Sequence, residues 1–270
     1  MANFYDFDHI AFFTTDDKFM PSKQELVALQ ETLYTSKNPT RRWLHCSRRD
    51  WILDALQRYA PLSNQFALEV GPGSGLYLPT LANLFNQVIA CDIEKSYLEH
   101  ATPLLPDYPN LQLLVDDMTA SQLESSRFDL VLCTEVIEHN TDSALMLAEI
   151  HRLLKPKGIL ILSTPQRYSP LELTAKIAFL PGIIDLVRWI YREPILKTGH
   201  INLMTEKTVT QQLQAAGLTI LEQHKTGLYL PLIAELMGNT GLRLEQWLEK
   251  RVRHSKLDAL LWTQYYIAQS

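Results

Sequence analysis

Cysteine is scarce in this chain. Its 270 residues hold three, Cys46, Cys91 and Cys133, with no Cys-x-x-Cys pair. An odd, unpaired set argues against a disulfide framework and for small buried hydrophobes in a reducing compartment. Long apolar runs are also missing: no stretch reaches the roughly 18 uninterrupted apolar residues of a spanning helix. The N-terminus, MANFYDFDHIAFF, lacks a basic segment followed by an apolar one, so no secretory leader is expected and a cytoplasmic location is. Nor is there an excess of positive charge. With 25 Lys and Arg against 30 Asp and Glu, the formal charge is −5, which disfavours a nucleic-acid partner held through its phosphates. The local basic clusters, Lys37, Arg41, Arg42, Arg48 and Arg49, then Arg243, Lys250, Arg251, Arg253 and Lys256, read as two solvated helix faces.

What is present is an alternation. Apolar spacing predicts a helix over 47–59, SRRDWILDALQRY. A short buried strand follows at 66–70, FALEV, then a helix over 76–85, a strand at 88–92 and a helix over 96–105. Strands are expected at 111–117 and 128–134, a helix over 142–155, and a strand at 158–165. After a break, 205–217 reads as a helix between Thr205 and Gly217, 218–225 as a strand, and 257–269 as a final strand. Short apolar strands alternating with helices specify a mostly parallel α/β sheet covered on both faces. Such a sheet binds its ligand beyond the C-terminal ends of the strands.

Glycine is sparse as well, ten in all, yet three of them fall in EVGPGSG at Gly71, Gly73 and Gly75. A glycine turn leaving a buried strand lets the backbone press against a ligand. About twenty residues on, Asp92 closes the second strand, where a carboxylate can take both hydroxyls of a ribose. The third strand ends in Asp116-Asp117 followed by Met118, an acceptor and an apolar surface suited to an adenine. Nicotinamide dehydrogenases share the first two features, but here the third glycine comes one position early and the first strand ends in Glu69.

With these segments, and with FDLVLCTEVIEH, LLKPKGILILSTP and LQAAGLTI, residues 48–227 resemble the class I S-adenosylmethionine-dependent methyltransferases. The resemblance implies a Rossmann-like seven-stranded sheet of order 3-2-1-4-5-7-6, with the last strand antiparallel and helices on both faces. It implies S-adenosyl-L-methionine as cofactor, with Glu69 and the Gly71–Gly73 backbone at its methionine end. Asp92 and Ile93 would bind the ribose, and Asp117 and Met118 the adenine, with Asp116 as the alternative to Asp117. Glu135 would pack under the cofactor.

Three potential ligands or proton carriers, Glu135, Glu138 and His139, follow the fourth strand in EVIEH. On a helical turn they share one face. They admit three readings: His139 only lines the pocket, His139 is a general base, or the three hold a divalent cation together with His200 of KTGHINLMT. The last set looks like the metal site of small-RNA 3′-terminal 2′-O-methyltransferases, and ubiquinone-pathway O-methyltransferases carry a similar one. By that resemblance Mg, Mn, Fe or Zn would chelate two adjacent hydroxyls of the acceptor.

About forty residues separate the fifth strand from the 205–217 helix. This insert, about 166–204, is apolar and split by Pro181-Gly182, which suits a helical hairpin packed on the core, a lid over a greasy acceptor, or peripheral membrane contact through 170–192. Residues 1–46 read as an N-terminal lid segment and 47–270 as the methyltransferase domain. In the family it resembles, the N-terminal segment often closes over the site, which implies that Arg41, Arg42, Trp43 and His45 would grip a phosphate or carboxylate on the acceptor, as the alternative to a solvated helix start. The expected reaction is O-methylation of a small, hydrophobic or lipid-linked molecule. The alternatives are metal-independent N- or C-methylation of a small metabolite, or a non-catalytic cofactor-binding partner subunit.

Overall fold

A computed structural model of the chain describes residues 32–60, 65–178 and 200–270. The helix α1 (Pro39–Tyr59) starts well before the expected 47 and runs through the position where the lid segment was expected to end. Its start is set locally. The Asn38 side chain accepts from the amides of Thr40 and Arg41, and Pro39 has no amide to leave unpaired. The chain then alternates through β1 (Phe66–Val70), α2 (Leu78–Leu84), β2 (Gln87–Asp92), α3 (Lys95–Leu98), β3 (Leu111–Val115) and β4 (Phe128–Thr134). It continues with α4 (Ser143–Leu153), β5 (Leu154–Pro165), α5 (Pro170–Ala178), α6 (Glu206–Ala215) and β6 (Thr219–Thr226). The last elements are α7 (Pro231–Leu236), α8 (Gly238–Val252) and β7 (Thr263–Gln269).

Several expected elements come out shorter, two of them by half or nearly so. The helix over 96–105 is α3 followed by a 3₁₀ segment, Glu99–Leu104, that contains Pro103. Proline lacks the donor that an α ladder needs there. The final strand begins at Thr263 because Asp258–Leu260 forms a 3₁₀ turn. Most of the insert, residues 179–199, lies outside the described residues, so the hairpin, lid and membrane readings of 170–192 rest there on sequence alone.

The sheet order is β3-β2-β1-β4-β5-β7-β6, with β7 antiparallel to both neighbours and the other pairings parallel, as expected. Alternate residues of β4 feed opposite cores. Val131 and Cys133 face α4 and α6, while Leu130 and Leu132 face α1 and α2. Burial on both faces explains why these strands read as continuous apolar runs.

Register then fixes the site. Val70 pairs with both Cys91 and Cys133, Asp92 with Val115, and Thr134 with Ser163. The chain therefore leaves β1, β2, β3 and β4 at one level, and the four loops that follow share one edge. A smaller cluster of Leu44, Tyr229, Ala234 and Trp262 packs the start of α1 and α7 against the chain entering β7.

Candidate active site

The first loop is the glycine turn. Gly71, Gly73 and Gly75 all have positive φ, and the Gly71 amide donates to the Cys91 carbonyl (2.8 Å). A Cβ at Gly71 would lie 2.6 Å from Val136 Cγ2, so this glycine is required both by its φ of 65° and by the close approach of the EVIEH segment. Beneath the turn, Glu69 is 1% exposed, and its Oε2 has no hydrogen-bond partner. Burial pushes its pKa up to about 8. A buried carboxylate of this kind costs free energy unless a cation or donor meets it.

The next two loops carry the carboxylates. Asp92 closes β2 half-buried, its Oδ1 accepting from the Glu94 amide (2.8 Å), while Ile93 is exposed at the rim. The two aspartates after β3 differ. Asp116 is buried, with one oxygen accepting from Ser121 Oγ and the other from the Gln122 amide (3.2 Å), so it is used up in shaping its own loop. Asp117 is exposed, and both of its hydrogen bonds, from the Thr119 amide and hydroxyl, fall on Oδ1. Those bonds lower its pKa and keep it ionised. Met118 is buried in the core cluster that also holds Val131 and Cys133. Asp117 therefore has the oxygen free to meet an amino group.

The fourth loop bears Glu135, which has a φ of 56°, and then a 3₁₀ turn, Ile137–His139. Among the described residues, Glu138, His139 and His200 bring one potential ligand atom each to within 4.8 Å of one another. Glu138 is fully buried; its Oε2 accepts from Thr164 Oγ1 (2.9 Å) and its Oε1 has no partner. Burial, helped by the Glu135 charge, raises its pKa. The amides of Ile201 (3.1 Å) and Asn202 (2.9 Å) both donate to the Glu138 carbonyl, pinning the segment that carries His200 against the one that carries Glu138.

His200 has a partner that apolar spacing gives no hint of. Its Nδ1 lies 3.1 Å from Glu172 Oε2 on α5, and the other Glu172 oxygen accepts from Trp262 Nε1 (3.2 Å). Burial works against a charge on His200, but the Glu172 hydrogen bond and the surrounding carboxylates outweigh it and raise its pKa. With Nδ1 turned to Glu172, Nε2 is the nitrogen a cation would take in place of a proton, the usual carboxylate–histidine arrangement of metal sites. Glu135 contributes no atom to the cluster; its carboxylate meets Arg48 and Ser163 instead.

The N-terminal residues expected to grip the acceptor have partners within the chain. Arg41 pairs with Glu235 (3.5 Å), Arg42 donates to the Ser36 carbonyl (2.7 Å), and Trp43 packs on the small core cluster. His45 is driven well below its ordinary pKa by burial and by Arg48 and Arg41, so it is neutral. The residue of this stretch that reaches the site is Arg48, read from sequence as part of a solvated face but only 12% exposed at its side chain. A cleft of about 200 Å³ opens at His200, lined by Arg167, Ile201, Asn202 and Leu203. Another cleft, of about 390 Å³ between α1 and α8, includes none of the four strand tips.

Residues 68–162 match the family model described as a methyltransferase domain. A ubiquinone biosynthesis O-methyltransferase of Rickettsia canadensis is 32% identical over 187 residues, 66% of this chain and 75% of that protein. A probable S-adenosylmethionine-dependent methyltransferase of Mycolicibacterium smegmatis is 27% identical over 153 residues, 57% of this chain and 51% of that protein. The chain spans about half the length of that relative and of the Rickettsia typhi one. In fold it is similar to the N-methyltransferase NodS of Bradyrhizobium japonicum in complex with S-adenosyl-L-homocysteine, with a TM-score of 0.57 at 16% identity over 92% of this chain and 96% of that one. Sheet order, glycine turn, acidic strand tips and relatives agree, and the chain belongs to the class I S-adenosylmethionine-dependent methyltransferases.

Proposed function

We propose that the chain transfers the methyl group of S-adenosylmethionine to an oxygen of a small, hydrophobic or lipid-linked acceptor, with a divalent cation held by Glu138, His139 and His200. One observation carries this reading. Glu138 is a fully buried carboxylate with an unpartnered oxygen, next to two imidazoles, at the end of the central strand β4. A buried orphan oxygen beside two nitrogen ligands fits a borderline to hard cation. When bound, such an ion lowers the pKa of a coordinated hydroxyl and orients it.

The residues of the chain supply the rest. Glu69 would meet the methionine ammonium, Asp92 the ribose and Asp117 the adenine amino group, which fixes where the methyl carbon lies. Thr164 orients Glu138, and Glu172 orients His200. Tyr168, Leu173 and Ile201 are exposed on the segments that carry Glu172 and His200, an apolar rim that suits a greasy acceptor or a lipid surface.

In a second reading His139 takes the hydroxyl proton without a cation, supported by its closeness to Glu138 and to His200, whose ring lies 5.2 Å from its own. Turnover of a lipid-tailed catechol separates the two. The cation reading expects excess chelator to abolish product at least 100-fold. Glu138→Ala and His200→Ala should do the same while cofactor affinity stays within threefold. Full activity in chelator overturns it; chelator resistance combined with an inactive His139→Ala variant selects the base.

A further inference from the structure

Glu135 is the EVIEH residue whose surroundings depart from the ligand set the resemblance implies. Both of its oxygens are engaged: Oε1 accepts from Ser163 Oγ (2.9 Å) and Oε2 from Arg48 (2.6 Å). Its amide donates to the Ser163 carbonyl (2.9 Å), so the residue is fixed at both ends against β5. The left-handed backbone at Glu135 is disfavoured for a side chain of this kind, and persists where surrounding contacts over-determine it.

Arg48 is itself built in. It comes from α1, and its second terminal nitrogen lies 3.3 Å from His45 Nδ1. Its guanidinium carbon is 5.2 Å from the Trp262 ring centre, within cation–π range. The same Trp262 donates to Glu172, which holds His200. One contiguous chain of contacts, Glu135–Arg48–Trp262–Glu172–His200, therefore runs around the cluster without passing through it.

We propose that Arg48 is a positioning residue of the cation site: it claims Glu135 as its counter-ion and keeps that carboxylate out of the ligand set, which is Glu138, His139 and His200. This rests on the cation reading above and narrows it. Physically, one ligating carboxylate in place of two leaves a bound divalent ion with more net positive charge to act on an acceptor hydroxyl. Three protein ligands also leave an octahedral ion three positions, enough for two acceptor oxygens.

The test is Mn²⁺ affinity of the full chain, followed by electron paramagnetic resonance, with the Co²⁺ absorption spectrum as a second readout. Glu138→Gln should weaken binding tenfold or more. Glu135→Gln should stay within threefold of the parent chain, with a superimposable Co²⁺ spectrum. Arg48→Gln, by freeing Glu135, should tighten binding three- to tenfold and change the Co²⁺ spectrum, and Arg48→Lys should restore parent behaviour. If Glu135→Gln loses as much affinity as Glu138→Gln, the inference is wrong and the cation reading stands. If Glu138→Gln leaves Mn²⁺ binding unchanged, or the parent chain binds no Mn²⁺, the cation reading fails and takes this inference with it.

Discussion

Glu69→Gln is expected to stabilise the free chain near neutrality and to weaken S-adenosylmethionine binding about 10- to 100-fold, the range for losing one charge-assisted hydrogen bond. The two effects have one source. In the folded chain burial keeps Glu69 protonated up to about pH 8, whereas an ordinary glutamate ionises near 4.5. Between those values the folded state holds a proton that the unfolded state has released. Stability therefore falls as pH rises through this window, by at most about 1.4 kcal/mol per pH unit. By pH 7 the accumulated cost is on the order of 3 kcal/mol, and glutamine, which cannot ionise in the unfolded chain, removes it. An incoming ammonium makes the ionised form favourable again. Cofactor binding at pH 7 should then release close to one proton, seen as a dependence of the calorimetric enthalpy on buffer ionisation heat. The Glu69→Gln variant should release none. Equal proton release in both proteins, or an unchanged cofactor affinity, would remove Glu69 from the site.

The second large effect is at Gly71. Gly71→Ala forces a side chain into left-handed backbone, at about 1–2 kcal/mol, and drives a Cβ against Val136, at about 1–3 kcal/mol for overpacking. The sum is about 2–5 kcal/mol, measurable as a lower midpoint in denaturant. Because Val136 follows Glu135, the push is transmitted to the EVIEH turn, and cofactor binding and Mn²⁺ binding should weaken together. Trimming the partner separates the two terms. Gly71→Ala with Val136→Ala should be less destabilised than the sum of the single changes by about 1–3 kcal/mol, leaving the backbone strain behind. Strict additivity would mean that the two residues do not meet.

Much of the fold is legible in the chain because the central strands are buried on both faces. FALEV, VIACD and FDLVLCT are apolar runs bounded by turn residues, and they become β1, β2 and β4 nearly residue for residue. The glycine turn and Asp92 are local to strand ends, so their shared edge follows once the strands are parallel. Residues 231–252 are harder. Two buried positions of α8 are glutamates: Glu249 accepts from the amides of Gly227 and Leu228, and Glu245 from the Leu230 amide and Thr40. An acidic residue on the buried face blurs the apolar period that marks a helix. The same applies to Arg48 and Glu172. Arg48 meets Glu135 across 87 positions and Glu172 meets Trp262 across 90, and neither carries a local pattern that separates it from a solvated charge. Pairs of this kind are set by topology, which turns α1 and α5 toward the same strand ends. The choice between Asp116 and Asp117 is likewise open in the sequence, and is narrowed by the Ser121 and Gln122 contacts that occupy Asp116.

The central claim is that the tips of β1 to β4 together hold one adenosyl sulfonium. Isothermal titration of the purified chain with S-adenosyl-L-homocysteine tests it most directly. One saturable site per chain, weakened at least tenfold by Asp92→Ala, is the expected result. No heat and no thermal shift at millimolar ligand would contradict the account.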